Sequence, residues 1–443
     1  MTSPIIILGA GAAGLTAART LVEAGKSPIV VEARDRIGGR IHTIHDPLVP
    51  IPVELGAEFI HGQPESTWKL LHESGLPAYD LPFEHWQRRG RKLVQAEDYL
   101  GQLSAAMRGL PRLRKDMPFA EYLRTHHADL PPIVHKAALD FVGGFDAADP
   151  QRISAKSIAG EIKGMGEEGG EMQYRLLTGY SSLMDFLAYP KGKKKIDIRF
   201  NVAVKDIRWK KSSVEILCRS GARQFKMRAS RVICTLPLGL LQLPDASTDA
   251  VRFVPDLAEK RAATARLGFG SVVKVIFIFR RAFWEDRAWI RAAGATNALR
   301  DASFLHDMSQ SIPTWWTMRP FRVPMLTGWA GGPRADALHG CSESHVCERG
   351  IASLAAIFRR RPHTIRELLR MSYVIDWAHD PFARGAYSYE CIGGHRARQI
   401  LAQSVQNTLF FAGEGVSTQG VAGTVAGAIS TGERAARESL ASL

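Results

Sequence analysis

The chain has 443 residues, 45% hydrophobic and 23% charged, a globular composition that excludes a wholly disordered, collagen-like or many-span membrane protein. At about 150 residues per domain this is mass for about three, enough to bury a sizeable core without disulfide staples. Lys and Arg outnumber Asp and Glu by 58 to 44, a formal +14 that raises nucleic acid or an anionic membrane as partners.

In chain order, residues 4–8 read as a short buried strand stopped by Gly9. Gly9-Ala-Gly11-Ala-Ala13-Gly14 follows, then a helix over 15–24 and a second strand over 28–32. A strand, a glycine loop, a helix and a strand ending in the acid Glu32 make the dinucleotide fingerprint in its required context. Gly9 makes the tight turn, Gly11 lets the backbone approach a pyrophosphate, and Gly14 lets helix and strand pack closely. The helix N-terminus offers unpaired N–H groups to the phosphates, and Glu32 accepts hydrogen bonds from the adenosine ribose. Arg34-Asp-Arg-Ile-Gly38-Gly39-Arg40 suits a second pass of backbone against phosphate, with Arg40 as a charge-assisted donor.

Proline-rich loop follows Asp46, then Val53-Glu54-Leu55-Gly56-Ala57-Glu58-Phe59-Ile60-His61-Gly62. Residues 84–189 read as mostly helical and charged, with a glycine-rich interruption at 164–170. Strands are expected over 196–208, 214–219, 231–236, 271–279 and 325–330, and helices over 343–360 and 363–371. The chain closes with a strand over 408–412, a glycine-rich loop and a helix over 423–440. No repeat or low-complexity linker separates these pieces, so the domains are expected to be interleaved.

Lys274 stands out inside the strand over 271–279. Its own parity reads Val272, Lys274, Ile276, Ile278 and the other reads Val273, Val275, Phe277, Phe279. Both faces are apolar, so the strand is expected to be buried on both sides and the ammonium out of place. Left unpaired, such an ammonium is costly and its pKa falls. The bland alternative is a lysine snorkelling at a strand edge.

The basic excess is scattered over short runs (Arg88, Arg89, Arg91, Lys92; Lys191, Lys193, Lys194, Lys195; Arg359, Arg360, Arg361) with no nucleic-acid-binding motif. These read as solvated faces, and no nucleic-acid partner is expected. Five cysteines without a CxxC pair fit a reducing cytoplasm better than a disulfide framework. Cys341, His345 and Cys347 lie close together, but nothing supplies a second half, so no metal is expected. Residues 1–18 lack a basic lead and 415–432 are rich in Gly, Ser and Thr, so neither a signal peptide nor a membrane span is expected. The C-terminus lacks the lysine of a peroxisomal signal. The expected location is the cytoplasm, and the oligomeric state is left open.

Gly9 to Gly14, Glu32, Gly38-Gly39-Arg40 and Glu54 to Gly62 together resemble the FAD-containing amine oxidase family. That family holds monoamine, polyamine and L-amino-acid oxidases and the flavin histone-lysine demethylases. Further matches are Asn201-Val-Ala-Val204, Val232-Ile-Cys-Thr-Leu-Pro-Leu-Gly239, Gly270-Ser-Val-Val-Lys274, Trp377 with Asp380-Pro-Phe-Ala-Arg-Gly-Ala-Tyr387, Phe411-Ala-Gly413-Glu414 and Gly423-Thr-Val-Ala-Gly427. They run in the family's order over nearly the whole chain, while 86–194 and 285–370 match loosely.

The resemblance implies an α/β fold in which a Rossmann-like FAD-binding domain, with three ββα layers, is interleaved with an α+β substrate-binding domain. FAD-binding parts would fall at 1–85, 195–265 and 386–443, and substrate-binding parts at 86–194 (mostly helical) and 266–385 (sheet plus helices). It implies FAD contacts from Gly9, Gly11, Ala13, Gly14, Glu32, Ala33, Arg34, Gly39, Arg40, Leu55, Gly56, Ala57, Glu58, Val204, Trp377, Gly413, Glu414, Gly423, Thr424 and Val425. Val204 would meet the adenine edge, Glu414 the ribityl or pyrophosphate region, and the helix near Thr424 the flavin N1 side. Lys274 would hold a water at flavin N5, and Tyr387 would be one wall of an aromatic cage. His61 is either a pocket histidine or a structural one. Glu58 gives a polyamine pocket its charge or makes only a backbone contact.

Two departures stand out. Ala386 replaces the cysteine of covalently flavinylated relatives, so FAD is expected to bind non-covalently. Thr424 replaces the second cage tyrosine, which leaves the cage half built unless Trp377 or another aromatic completes it. The function implied is oxidation of an amine by hydride transfer to FAD, giving an imine and, with molecular oxygen, hydrogen peroxide. An L-amino-acid oxidase and a non-catalytic FAD-stabilised binding protein are the alternatives.

Overall fold

The fold is described from a computed structural model that covers residues 4–96, 99–167, 172–190, 192, 194–295 and 299–443, the side chains of 99–102, 165–167 and 300 excepted. Part of the glycine-rich stretch expected at 164–170, together with Lys191 and Lys193 of one basic run, lies outside the described residues.

A five-stranded parallel sheet runs in the order Asp197–Arg199, Ile29–Val31, Ile5–Leu8, Arg231–Cys234 and Leu409–Phe411. Side chains alternate across a strand, so neighbouring isoleucines go to opposite layers. Ile5, Ile7, Ile233 and Phe410 pack with the Ala12–Glu23 helix and with Ile429, Ala435 and Ala436 of the Val425–Ala441 helix. Ile6, Leu8, Val232 and Leu409 pack instead against Ile207, Val214 and Ile216. Those three come from a four-stranded sheet ordered Arg223–Ala229, Ser213–Ser220, Ala203–Lys210 and Arg252–Val254. Helices, parallel sheet and second sheet are the three expected ββα layers. The first and last helices cross so closely that a Cβ on Gly432 would stand 2.3 Å from the Ala13 carbonyl oxygen.

A seven-stranded sheet carries the lysine strand. Its order is Leu369–Asp376, Val272–Phe279, Met325–Gly331, Thr314–Thr317, Phe304–His306, His85–Arg89 and Lys92–Gln95. Val273, Val275, Phe277 and Phe279 face the Glu343–Phe358 helix through Ile351 and Leu354. Ile276 and Ile278 face Val49, Val53 and Trp316. The lysine strand is therefore buried on both sides, as its two apolar parities predict.

Three local expectations are corrected. The strand expected over 196–208 is two strands in two sheets, broken where Asn201 takes φ 57°. The helix expected over 363–371 stops at Leu368, and Leu369–Asp376 continues as a half-buried edge strand. Inside 84–189, the basic run at Arg88–Lys92 is a hairpin that turns at Gly90, φ 57°, rather than a helical face, and Gln173–Leu176 is a strand. Charges on an edge hairpin and charges on a helix look alike in sequence.

Where that hairpin meets its neighbour, His85 Nδ1 and His306 Nε2 lie 2.8 Å apart with their rings stacked. Burial pushes His85 down to about 4, and burial followed by the charge of His85 pushes His306 down to about 3. The folded form thus resists protons that the unfolded chain takes up, so stability held above about pH 6.5 is lost as pH falls toward 4. We expect the melting temperature of a His306→Gln variant to fall less steeply than wild type between those two pH values; equal slopes would contradict this.

Candidate active site

The glycine loop divides its labour. Gly9 takes φ +103°, and a Cβ on Gly14 would stand 1.9 Å from the Gly9 carbonyl oxygen, so the protein itself demands both. Gly11 is different: its backbone is extended, φ −79° and ψ −177°, and a Cβ there meets only the Gly38 carbonyl oxygen at 3.9 Å. Gly39 faces it with its Cβ direction 3.5 Å from the Gly11 Cα, and Gly413, φ +128°, has no heavy atom within 4 Å of its own. Gly11 caps the Ala12–Glu23 helix without a side-chain hydrogen bond, so backbone N–H groups face an open cradle. That is the shape and charge a pyrophosphate needs, and the residues fit FAD here.

Glu32, at the end of the second strand, is buried and accepts from the Ala10 N–H (2.8 Å) and the Arg34 N–H (2.9 Å). Each oxygen keeps a second lone pair for a ribose hydroxyl. Ala33 joins it to Arg34, whose two terminal guanidinium nitrogens donate to Asp380, at 2.8 and 2.6 Å. Arg40 donates to Glu414 Oε1 (2.8 Å) and to the Ala386 carbonyl. Glu414 Oε2 accepts from the Ser388 N–H and hydroxyl, at 3.2 and 2.6 Å. Burial alone would raise the Glu414 carboxyl, but Arg40 and Ser388 outweigh it and hold it below the ordinary range. Arg40 and Glu414 thus tie the second glycine turn to the last third of the chain.

Thr424, the threonine in place of a second cage tyrosine, is the N-cap of the closing helix. Its hydroxyl accepts from the Gly427 N–H (3.0 Å) and donates to the Val421 carbonyl (2.7 Å), capping the helix that starts at Val425. Gly423 packs on Tyr387, 3.6 Å from its Cδ2 to the glycine's Cβ direction. Trp377 is buried in the cluster that Tyr387 and Trp329 pack against. Val204 is half-buried against the core between the sheets and pairs with Cys218.

Lys274 is 1% exposed, buried as its strand predicts, and its ammonium is paired. Its Nζ donates to Glu58 Oε2 at 2.8 Å and to the Gly56 carbonyl at 3.1 Å. Glu58 Oε1 accepts from Arg175 Nε (2.8 Å) and Trp316 Nε1 (2.9 Å). Burial would raise the Glu58 carboxyl, but Lys274 and then Arg175 more than offset it and hold it low. Glu58 therefore spends its side chain on Lys274 and Arg175. Leu55, Gly56 and Ala57 carry the main chain around the ammonium, with the Leu55 and Ala57 N–H groups fixed on the His42 and Arg40 carbonyls.

Tyr387 and His61 meet at one helix end. The Tyr387 hydroxyl donates to the Phe145 carbonyl at the end of the Pro132–Phe145 helix, and the His61 ring stands edge-on to the Phe145 ring at 5.5 Å. Burial pushes His61 down to about 4, so it is a neutral imidazole near pH 7. Trp329, cross-strand partner of Lys274, donates to the Gly144 carbonyl at 2.8 Å. Asp146, two residues beyond Gly144, is held well above the carboxylate range by burial and by Glu161, and Glu161 is pushed up to about 7. Neither carboxylate has a hydrogen-bond partner among the described residues. Burial, then Asp146 and Glu161, also raise the Tyr387 hydroxyl.

Arg175, Trp316, Trp329, Asp146 and Glu161 escaped the reading of the sequence. Trp329 lies on the strand next to the lysine strand, and Trp316 on the strand beyond it. The other three lay in a stretch that shows only helical character. Among the described residues, no three His, Cys, Asp or Glu are placed to hold a metal, and no helix is long and apolar enough to cross a membrane.

The family model for flavin-containing amine oxidoreductases matches residues 12–137 and 132–440. The chain is 27% identical to Polyamine oxidase 3 of Oryza sativa subsp. japonica, covering 99% of this chain and 89% of that protein. It is also 27% identical to Lysine-specific histone demethylase 1 homolog 3 of Arabidopsis thaliana, covering 98% of this chain but 29% of that protein. Its fold is that of putrescine oxidase. A double variant of that enzyme superposes with TM-score 0.79 at 20% identity over 100% of this chain and 99% of the other. The wild type bound to putrescine superposes with TM-score 0.75 at 20% identity over the same shares. A match that runs through the glycine cradle, the lysine strand and the closing helix alike leaves one assignment: the chain belongs to the flavin-containing amine oxidoreductases and is an FAD-dependent amine oxidase.

Proposed function

We propose that this chain oxidises a primary amine carried on a diamine or polyamine. One amine, one oxygen and one water give one aldehyde, one ammonia and one hydrogen peroxide, the imine being hydrolysed on the way. FAD, when bound, supplies the two-electron chemistry by taking the α-carbon hydride and passing the electrons to oxygen. Gly11, Gly39 and Gly413 hold its pyrophosphate, and Glu32 its ribose. With alanine at 386, the cofactor is held without a covalent link. Lys274 keeps a proton donor in a dry place beside the Leu55–Glu58 turn, Tyr387 and the tryptophans wall the amine, and neutral His61 accepts a hydrogen bond from it. Oxygen as acceptor and a cytoplasmic setting belong to the same reading, which five free cysteines support.

The observation that carries the substrate class is the end of the Pro132–Phe145 helix. A helix C-terminus is its negative pole. Tyr387 and Trp329 fix this one beside the lysine strand, and Asp146 and Glu161 add two carboxyls whose pKa burial raises and which a nearby positive charge would draw into their ionised form. The second ammonium of a diamine supplies that charge while the first amine is oxidised. The printed names of the relatives, polyamine oxidase and putrescine oxidase, support the same class.

The purified protein is expected to be yellow, to release intact FAD on acid denaturation, and to be bleached anaerobically by a diamine at lower concentration than by a monoamine of equal chain length. Glu161→Gln will raise the concentration of diamine needed by about tenfold or more and leave the monoamine unchanged. Protein that takes up no FAD, or bound FAD that no amine bleaches, would refute the function. Equal loss for both amines would refute the subsite.

A further inference from the structure

We infer that Glu58 is a positioning residue for Lys274, an assignment that rests on the role proposed for that lysine at the flavin. The two oxygens of the carboxylate do different jobs. Oε1 is anchored by Arg175 Nε and Nη2 (2.8 and 2.7 Å) and by Trp316 Nε1 (2.9 Å), from two strands that belong to different sheets. Oε2 is thereby turned toward Lys274 Nζ at 2.8 Å. The Gly56 carbonyl takes a second N–H at 3.1 Å, and the Trp316 ring lies 5.7 Å away on the flank. Of the three ammonium N–H groups, one is left without a partner among the described residues.

A lysine ammonium on a four-carbon stem is mobile unless it is held. Here a carboxylate that is itself immobilised, and a main-chain carbonyl, remove that freedom, so the third N–H has one direction. Lys274, Arg175 and Glu58 sum to one positive charge with almost no access to water. The other titratable groups facing the cluster are Glu54, from the Val53–Glu54 strand, and Tyr79, from the Ala78–Asp80 strand. Glu58 thus does two things through Lys274: it aims the remaining donor, and it sets a negative charge 2.8 Å from the ammonium.

The test compares reoxidation of the reduced holoenzyme by oxygen in wild type, Glu58→Gln, Glu58→Asp, Lys274→Met and the Lys274→Met/Glu58→Gln double variant. Glu58→Gln is expected to slow reoxidation about tenfold at neutral pH and to move the alkaline limb of its pH profile down by about one unit or more. Glu58→Asp keeps the charge and will stay close to wild type in that limb. In the Lys274→Met background the glutamine will change the rate by less than about twofold, because the residue acts through the lysine.

Without turnover, the absorbance of bound oxidised FAD will show a pH-dependent transition in Glu58→Gln that is absent from the double variant. If Glu58→Gln does not fold, Trp316→Phe, which removes only one donor from Oε1, will give a smaller shift in the same direction. An unchanged pH profile, or an equal effect of the glutamine with and without Lys274, would overturn the inference by showing that Glu58 only holds the sheets together. Wild-type protein that binds no FAD would overturn the proposed function first, and this inference with it.

Discussion

Alanine at Gly14 will destabilise the protein by about 2 kcal/mol or more and abolish FAD uptake, while alanine at Gly11 will leave the unfolding temperature of the FAD-free protein unchanged and weaken FAD binding about tenfold or more. The two glycines are three residues apart and obey different masters. A Cβ at Gly14 would stand 1.9 Å from a backbone oxygen in a crossing of strand and helix that cannot yield. Alanine's better helix propensity, worth about 1 kcal/mol, is too small to compensate. A Cβ at Gly11 meets nothing of the protein closer than 3.9 Å, so the room there serves something else. Thermal unfolding of the FAD-free variants and titration with FAD separate the two effects. A Gly11→Ala protein that binds FAD as tightly as its parent would show that the phosphates do not approach this turn.

Replacing Lys274 by methionine will leave FAD bound and substrate reduction nearly intact, and will slow the reaction of the reduced enzyme with oxygen about a hundredfold. Removing one partner of a buried ion pair ordinarily costs about 3–5 kcal/mol, because the other charge is orphaned. Glu58 is spared that fate, since Arg175 and Trp316 still occupy Oε1. Methionine also fills much of the space of the lysine stem. The loss therefore falls on chemistry more than on folding. Stopped-flow mixing of reduced enzyme with oxygen measures it, and an unchanged rate would remove the lysine from the reaction.

How far the sequence reached depends on whether a feature is local. The first strand, glycine loop and helix were legible because their determinants lie within a few turns of chain. Lys274 was legible because two apolar parities around one charge suffice to bury it. Glu58 was visible as a residue but its task was not, since Arg175, Lys274 and Trp316 lie 117, 216 and 258 residues away. The ion pair of Arg34 was hidden for the same reason: its counter-ion Asp380 is 346 residues on. Thr424 was read through a family pattern as a deficient cage wall, although a threonine ahead of a helix is first of all a cap. The Arg88–Lys92 hairpin was lost to its charges, which conceal a strand whose apolar side holds only Trp86 and Leu93.

The parallel sheet has a bearing on how the protein comes into being. Its middle strand, Ile5–Leu8, is made about 400 residues before the Leu409–Phe411 strand and the Val425–Ala441 helix, which covers the first helix. Contacts of such long sequence separation form slowly and leave apolar surface waiting. The sheet therefore stays open until residues 409–441 have been made and folded back onto residues 5–23, so a cofactor held by both Gly11 and Gly413 is loaded only after that.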